Sequence, residues 1–216
     1  MHMKLHRYLK NDILDFLGKK MVFLGGPRQV GKTTLAVSFL NPPSVKSPQY
    51  LNWDSASDRK IILSNEIKTD KPILVFDEIH KYNKWRNFVK GLYDKNHEDL
   101  KILVTGSARL DHFRKGGDSL LGRYRYLRIH PLTISEIKAS HSDIESLIKF
   151  GGFPEPFVEQ KEKIHKLWIN ERNYRIVRDD IKDLTTIKET SMISLLIELL
   201  PARVGSPLSL KSLSED

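Results

Sequence analysis

The sequence predicts an α/β fold in which a parallel sheet carries helices on both faces. Five short runs predict strands, and they occupy residues 21–26, 49–54, 72–78, 101–107 and 124–130. Three of these runs are continuously apolar, which is typical of strands buried on both faces. Helix-like segments separate the runs, and alternation of strands with helices indicates a parallel sheet covered on both sides.

The segments between the strands and after them predict helices from their amphipathic pattern. Between the strands, these segments are 32–40, 57–67 and 84–100. After Pro131 the strand pattern ends, and helices are predicted at 133–140, with a capping box from Thr133 to Glu136, and at 141–150. A stretch rich in Gly and Pro (151–157) then precedes a long amphipathic segment (159–184). Its apolar residues have the spacing of one helix face, and they are Ile164, Leu167, Trp168, Ile176 and Ile181.

Composition narrows the possible functions. The 216 residues carry a net charge of +9 and include no cysteine, which excludes disulfides and thiolate metal sites. The first 150 residues hold 26 basic and 16 acidic side chains, and the remainder holds 10 and 11. A basic front portion suits nucleotides or nucleic acid, although a solvated lysine-rich surface has the same composition. No stretch predicts a signal peptide or a membrane span, so we expect a cytoplasmic protein with no membrane partner.

The stretch "FLGGPRQVGKTTLAVSF" (23–39) carries the P-loop pattern, Gly26-x4-Gly31-Lys32-Thr33, between a predicted strand and a predicted helix. Its glycines let backbone N–H groups surround phosphate oxygens, and the helix directs its positive dipole end at the same anion. Lys32 would reach the β- and γ-phosphates, and the Thr33 hydroxyl would ligate Mg²⁺. We therefore predict ATP and magnesium as cofactors. The predicted nucleotide-binding residues are Gly26, Pro27, Arg28, Gln29, Val30, Gly31, Lys32, Thr33 and Thr34.

Two carboxylates end the apolar strand "PILVFDE" (72–78). Asp77 fits the residue that holds the hydrated magnesium ion in P-loop enzymes. Glu78 can polarise a water for attack on the γ-phosphate, and we predict it to be catalytic together with Lys32. A metabolite kinase would not need Glu78, because its nucleophile arrives with the substrate.

Two further positions are candidates for contact with the γ-phosphate. The strand in "KILVTGSARL" (101–110) ends in polar residues, and either Thr105 or Ser107 could act as the γ-phosphate sensor. Arg123 precedes the last predicted strand, and Arg125 follows two residues later. We expect both side chains to lie on the same face of that strand. Either could act in trans on the nucleotide of a neighbouring copy as an arginine finger, with Arg123 as the first choice. Both could instead form a basic surface or contact a nucleic-acid backbone.

Six stretches together resemble one family of proteins. They are "GGPRQVGKTTL", "ILVFDEIHKYNKW", "ILVTGSARL", "SLLGRYRYLRIHPLTISEI", "GGFPEPF" and "LLPARVGSPLSLKSLSED". The chain is similar, from about residue 18 to its last residue, to the prokaryotic AAA-like ATPases, relatives of the archaeal ATPase group. Members of that family usually carry a C-terminal domain of unknown function.

The resemblance implies a P-loop ATPase core of the additional-strand type at 1–130, a helical lid at 131–190 and an incomplete winged helix at 191–216. It supports a homo-oligomer and the roles given above for the P-loop, the two carboxylates, the sensor and the finger. These residues are Lys32, Thr33, Asp77, Glu78, either Ser107 or Thr105, and Arg123. Because "SLSED" ends the chain inside the winged-helix pattern, we expect a truncated sequence.

Two functions follow as hypotheses. The first is an ATP hydrolase that acts as an oligomeric switch or motor on a nucleic-acid or protein client. The second is a nucleotide-gated, DNA-associated regulator or adaptor with little or no hydrolysis.

Overall fold

The computed structural model of the chain describes residues 6–67, 71–106, 110, 120–137, 140–177, 190–207, 209 and 211. The described strands form one sheet, in which neighbouring strands are parallel, in the order β2–β3–β4–β1–β5. They are β1 (Met21–Gly25), β2 (Tyr50–Asn52), β3 (Ile73–Asp77), β4 (Lys101–Thr105) and β5 (Tyr124–Arg128). The predicted α/β class is confirmed. Strand β4 lies between β1 and β3, as in the additional-strand type of P-loop fold.

Helices precede, connect and follow the strands. They are α1 (Leu9–Leu17), α2 (Lys32–Val37), α3 (Ala56–Ser64), α4 (Trp85–Asn96), α5 (His141–Phe150), α6 (Pro154–Glu159), α7 (Glu162–Arg175) and α8 (Thr190–Leu199). Shorter 3₁₀ helices span Ile79–Lys81, Ile134–Glu136 and Leu200–Arg203. Local sequence explains their ends: Ser55 caps α3 by accepting the N–H of Asp58, and α6 begins with Pro154 in the first turn, where a missing N–H costs nothing.

Side chains from the two faces of the sheet build two separate cores, because alternate residues of a strand point to opposite faces. In β1, Val22 and Leu24 face a core that includes α1 and α2, while Met21 and Phe23 face a core that includes α3 and α4. All four side chains are at most 3% exposed. Burial on both faces explains why this strand is continuously apolar in sequence.

The register of the strands brings their carboxyl ends to one edge of the sheet. Asp77 at the end of β3 lies opposite Asn52 of β2 on one side and Thr105 of β4 on the other. Thr105 in turn lies opposite Leu24 of β1, one residue before that strand ends. The polar residues that follow these strands in sequence are therefore neighbours in space.

The chain divides into two compact units, Met1–Gln160 and Lys161–Asp216. The first unit therefore extends past residue 130 and includes α5 and α6. In the part predicted as helix at 133–140, the described residues form only the 3₁₀ turn Ile134–Glu136, but the capping box is confirmed, with the Thr133 N–H donating to Glu136 Oε2 at 2.9 Å.

One residue of the apolar face predicted for 159–184 does not lie on a buried face of α7. Trp168 is buried, but its neighbour Leu167 is 55% exposed. Adjacent residues differ by about 100° around a helix, so both cannot lie at the centre of one face. Ile181 lies outside the described residues. Within the described ranges, no helix is both long enough and apolar enough to cross a bilayer.

Candidate functional site

The loop between β1 and α2 needs glycine at two positions. Gly26 has a φ of 145°, and a Cβ there would lie 2.4 Å from the carbonyl oxygen of Ile129. Gly31, the residue before α2, has a φ of 92°, a region that favours glycine. The two glycines let the backbone turn tightly around the start of the helix, which is the geometry that collects N–H groups around an anion.

The side chain of Lys32 lies inside this loop and bonds to its backbone. Its ammonium donates to the carbonyl oxygens of Gly26, at 3.0 Å, and Pro27, at 2.7 Å. Only 8% of the residue is exposed, which is rare for lysine. The positive charge is therefore held beside the backbone N–H groups of the loop, where it would meet a phosphate.

Asp77 is a buried carboxylate at which three hydroxyl groups meet. Thr33 donates to Oδ2 at 2.8 Å, Tyr50 donates to Oδ2 at 2.6 Å, and Thr105 donates to Oδ1 at 2.5 Å. Burial, with the hydrogen bond to Asp77, raises the pKa of Tyr50, so its hydroxyl remains a donor. Because three donors hold both carboxylate oxygens, Asp77 has a fixed orientation toward the start of α2.

The Thr33 hydroxyl and the Asp77 carboxylate are suitable oxygen ligands for magnesium. Mg²⁺ keeps several waters and is commonly held by one or two protein oxygens together with phosphates, so a dedicated acidic cluster is unnecessary. The described residues contain no group of three or more His, Cys, Asp or Glu side chains that could hold a metal ion. The 2.8 Å between Thr33 Oγ1 and Asp77 Oδ2 shows that the two ligand types converge.

Glu78 follows Asp77 in a strained backbone conformation. Its φ and ψ are 55° and 19°, in the left-handed region that few residues other than glycine adopt. Burial raises the pKa of Glu78. Its Oε2 lies 3.4 Å from the ammonium of Lys81 and 3.6 Å from Nε2 of His80. Strain of this kind is commonly retained at functional sites.

Lys81 joins Glu78 to the end of β2. Its ammonium also lies 2.5 Å from Oδ2 of Asp54, two residues after that strand. Burial lowers the pKa of Lys81, but the hydrogen bond to Asp54 and the charge of Glu78 outweigh burial and raise it overall. Lys81 therefore stays protonated and holds the Glu78 side chain at the rim of the site.

These elements surround one cavity of about 570 Å³, a volume in the range of small-molecule sites. The residues that line it are Arg28, Gln29, Gly31, Lys32, Thr33, Thr34, Asp54, Asp77, Glu78, Lys81, Pro154 and Glu155. The structure thus brings together most of the residues that the sequence predicts for nucleotide, metal and water.

Four other predicted residues, Gly26, Pro27, Val30 and Thr105, are not among those that line the cavity. Gly26 and Pro27 contact Lys32 through their carbonyls. The side chain of Val30 is fully buried in the core, so only its backbone can serve the site. Thr105 is fully buried and reaches the site through Asp77. Ser107, the alternative sensor, lies outside the described residues.

Arg123 and Arg125 lie away from the cavity. The Arg123 carbonyl accepts the N–H of Met21 at the start of β1, so Arg123 is at the amino-end edge of the sheet, opposite the P-loop. Its guanidinium pairs with Asp94 of α4 at 2.7 Å. Arg125 instead lies over the ring of Phe16 in α1, at 5.1 Å. The expected shared face is wrong, because Arg123 precedes β5 and is not bound by the alternation within that strand.

Sequence reasoning missed four residues that line the cavity, which are Asp54, Lys81, Pro154 and Glu155. It also missed Tyr50, which donates to Asp77, and Arg7, which donates to the Val30 carbonyl in the loop. Spacing along the chain gave no signal for Arg7 or Tyr50, whose positions depend on how distant segments pack. Lys81 had a weak signal, because it lies three positions after Glu78 in a short helical turn.

Two known families match this chain. A family described as an AAA domain matches residues 18–138. A family described as a domain of unknown function matches residues 141–216.

Among curated proteins, the chain is 28% identical to the uncharacterized protein MJ1544 of Methanocaldococcus jannaschii, over 96% of this chain and 52% of that protein. It is 30% identical to the uncharacterized protein MJ1637 of the same organism, over 62% of this chain and 29% of that protein. The chain therefore spans about half the length, or less, of these relatives.

Among solved structures, the Pif1 helicase of Candida albicans is similar with a TM-score of 0.35 and 15% identity, over 67% of this chain and 42% of that one. A Bacteroides Pif1 helicase in complex with ADP-AlF3 and ssDNA is similar with a TM-score of 0.34 and 11% identity, over 69% of this chain and 47% of that one.

Proposed function

The chain belongs to the AAA domain family, and from that premise we propose that it binds magnesium and ATP and hydrolyses ATP to ADP and phosphate. One observation carries the proposal. A phosphate-binding loop, a lysine, a hydroxyl paired with a carboxylate, and a second carboxylate all border the same cavity. This combination suits a nucleoside triphosphate with its metal and leaves one acidic group for the attacking water.

Binding would begin with the triphosphate. Backbone N–H groups of the loop and the N-terminus of α2 would contact the phosphate oxygens. The Lys32 ammonium would exchange its bonds to the Gly26 and Pro27 carbonyls for bonds to the β- and γ-phosphates. That exchange costs little, because both sets of acceptors lie within reach of the same flexible side chain.

The Thr33 hydroxyl and the Asp77 carboxylate would hold the magnesium ion, Asp77 directly or through water. When bound, the ion neutralises charge on the phosphates. Tyr50 and Thr105 would keep the Asp77 oxygens oriented during turnover, because they donate to them from two neighbouring strands.

Glu78 would act on water. In the proposed step its carboxylate takes a proton from a water molecule while the water oxygen bonds to the γ-phosphorus. The bond from that phosphorus to the bridging oxygen breaks, and ADP leaves with the electron pair. In the structure Lys81 holds the Glu78 carboxylate, so this contact would have to loosen before Glu78 could reach a water over the γ-phosphate.

Arg123 would complete the site of a neighbouring copy. It lies at the amino-end edge of the sheet, far from its own P-loop, so any contact with a γ-phosphate would be in trans. This role requires a homo-oligomer in which that edge faces the next cavity. The client of such an assembly would be a protein or a nucleic acid.

A second function is favoured by charge. The first 150 residues carry ten more basic than acidic side chains, which suits a DNA-associated regulator with little hydrolysis. Affinity for duplex DNA across a salt series tests it, because each phosphate contact steepens the salt dependence. Absence of binding at low salt would remove this function.

The principal test compares three variants. We expect Lys32→Ala to lose ATP binding in calorimetry, and Glu78→Gln to retain binding but release phosphate about 10²- to 10⁴-fold more slowly, the range for one general base. Lys19→Ala removes an exposed lysine just before β1 and should behave as wild type. Normal turnover by Glu78→Gln would contradict the water-activating role, and normal binding by Lys32→Ala would contradict the phosphate site.

A further inference from the structure

The N-terminal segment contains a buried arginine that lies outside the matched AAA region. Arg7 precedes that region by eleven residues, and only 6% of it is exposed. A guanidinium is costly to remove from water unless it is paired and hydrogen-bonded. Its surroundings therefore show what the fold uses it for.

All three nitrogen atoms of the Arg7 guanidinium are engaged. Nε donates to Oε1 of Glu136 at 2.7 Å, one terminal nitrogen donates to the Val30 carbonyl at 2.7 Å, and the other donates to the His130 carbonyl at 2.5 Å. Arg7 therefore joins the N-terminal segment to the P-loop, to the end of β5 and to the segment that follows it.

The bond to Val30 determines which way one peptide plane faces. The Val30 carbonyl and the Gly31 N–H belong to the same trans peptide unit, so they point in opposite directions. With the carbonyl directed at Arg7, the Gly31 N–H is directed away from Arg7. Gly31 lines the cavity, so that side is where a phosphate oxygen would lie.

The orientation of the Val30–Gly31 peptide must be fixed by other contacts, because the glycine at position 31 allows the peptide to flip. A peptide flip changes ψ of Val30 and φ of Gly31, and glycine accepts either sign of φ at little cost. The site of a missing Gly31 Cβ lies 3.6 Å from a terminal nitrogen of Arg7, so the arginine packs directly against this turn.

Glu136 is itself held in place. Oε1 also accepts the N–H of Tyr8 at 3.0 Å, and Oε2 accepts the N–H of Thr133 at 2.9 Å in the capping box. The Arg7–Glu136 pair is thus a fixed point, with side chains 7% and 1% exposed.

We propose, on the basis of the function given above, that Arg7 is a positioning residue for ATP binding, which holds the Val30–Gly31 peptide so that the Gly31 N–H faces the phosphates. Without Arg7, the loop would populate both orientations of this peptide, and only one would bind. The apparent affinity for ATP is proportional to the fraction of molecules whose loop has the binding orientation. We therefore expect ATP to bind about 10- to 100-fold more weakly.

Two variants test the proposal. Arg7→Lys keeps a positive charge beside Glu136 but lacks the planar fork that reaches two carbonyls. Arg7→Met with Glu136→Gln removes both charges together, which avoids leaving a buried charge without its partner. Lys19→Ala is the matched control, because it also removes one positive charge from the chain before β1, at an exposed position.

Three readouts separate positioning from general loosening of the fold. For both Arg7 variants we expect KM for ATP to rise with kcat nearly unchanged, which indicates loss of uniform binding. With ¹⁵N-glycine labelling, the 12 glycines give few amide signals, and the Gly31 signal should move without nucleotide while that of Gly91 in α4 stays. Thermal midpoints should stay near wild type in the double variant.

Each outcome decides a different question. If the wild type binds ATP and both Arg7 variants bind equally well, the inference is overturned and the proposed function stands. If affinity falls only in proportion to a loss of folded protein, with the Gly31 signal unmoved in what remains folded, Arg7 is structural and the inference is overturned. If the wild type does not bind ATP at all, the proposed function and the inference both fail.

Discussion

At the carboxyl-end edge of the sheet, Asp77 is buried and bonded by three hydroxyls, whereas at the amino-end edge Arg123 and Asp94 are partly exposed and bonded to each other. Asp77 is 5% exposed and accepts three hydroxyl donors. The side chains of Arg123 and Asp94 are 34% and 43% exposed, and they pair across the surface. Fixed groups reduce the reorganisation needed for chemistry, while exposed pairs exchange partners easily.

This difference matches the two kinds of contact that the proposed reaction needs. Groups that act on the chain's own nucleotide must already be oriented, and the three hydroxyl donors orient Asp77 in this way. A group that acts on a neighbour's nucleotide must be able to leave its resting partner when copies assemble. The hydrogen bond to Arg123 lowers the pKa of Asp94, and because both side chains are partly exposed, water can replace either partner.

The largest expected effect concerns the exposed edge. Arg123→Ala should lower ATP hydrolysis by about 10³-fold or more, the effect of losing an arginine finger, while ATP affinity is retained. Steady-state phosphate release and calorimetry measure the two quantities. Arg125→Ala is the control, because Arg125 lies over Phe16 and should affect turnover little.

A mixing experiment decides whether Arg123 acts in trans. Arg123→Ala copies retain Lys32, and Lys32→Ala copies retain Arg123, so mixed oligomers would contain complete sites although each variant alone is inactive. Recovered hydrolysis on mixing supports the trans role. Loss of activity in Arg123→Ala without recovery would place the effect within one chain, and unchanged activity would remove the finger altogether.

The sequence predicts the site residues that belong to local motifs, but not those whose contacts join distant parts of the chain. The phosphate loop and the Asp77–Glu78 pair are local patterns, and the structure places both at one cavity. Tyr50 could not be predicted, because its contact with Asp77 requires knowing that β2 pairs with β3. Lys81 and Arg7 act through contacts that motif spacing does not encode.

Errors in the sequence interpretation have a common physical cause. The alternation of β5 does not include Arg123, which lies one residue before that strand begins. The helix periodicity of α7 does not bury Leu167, which faces water. Both patterns hold only inside regular elements that pack against a core. The layered α/β class was predicted correctly, because continuously apolar strands require cover on both faces.

A second expected effect concerns the buried edge. Thr105→Val keeps the shape of the side chain but removes one of the three hydroxyls that orient Asp77. A hydrogen bond to a charged group contributes about 1.5–3 kcal/mol, so we expect about 10- to 100-fold weaker apparent magnesium binding. The magnesium dependence of ATP turnover measures it. Thr105→Ser, which keeps the hydroxyl, should remain close to wild type, and equal behaviour of the two variants would contradict the orienting role.

The smallest expected effect compares backbone packing near the two edges. At the P-loop, Gly26→Ala would place a Cβ 2.4 Å from the Ile129 carbonyl at a φ of 145°, so we expect a loss of about 1–3 kcal/mol in the free energy of unfolding. In α4, three residues before Asp94, a Cβ at Gly91 would meet nothing within 4 Å. Because alanine restricts the unfolded chain and favours helix, Gly91→Ala should instead stabilise the protein by about 0.5–1 kcal/mol. Denaturant unfolding without nucleotide measures both, and effects of the same sign would show that the two edges are packed alike.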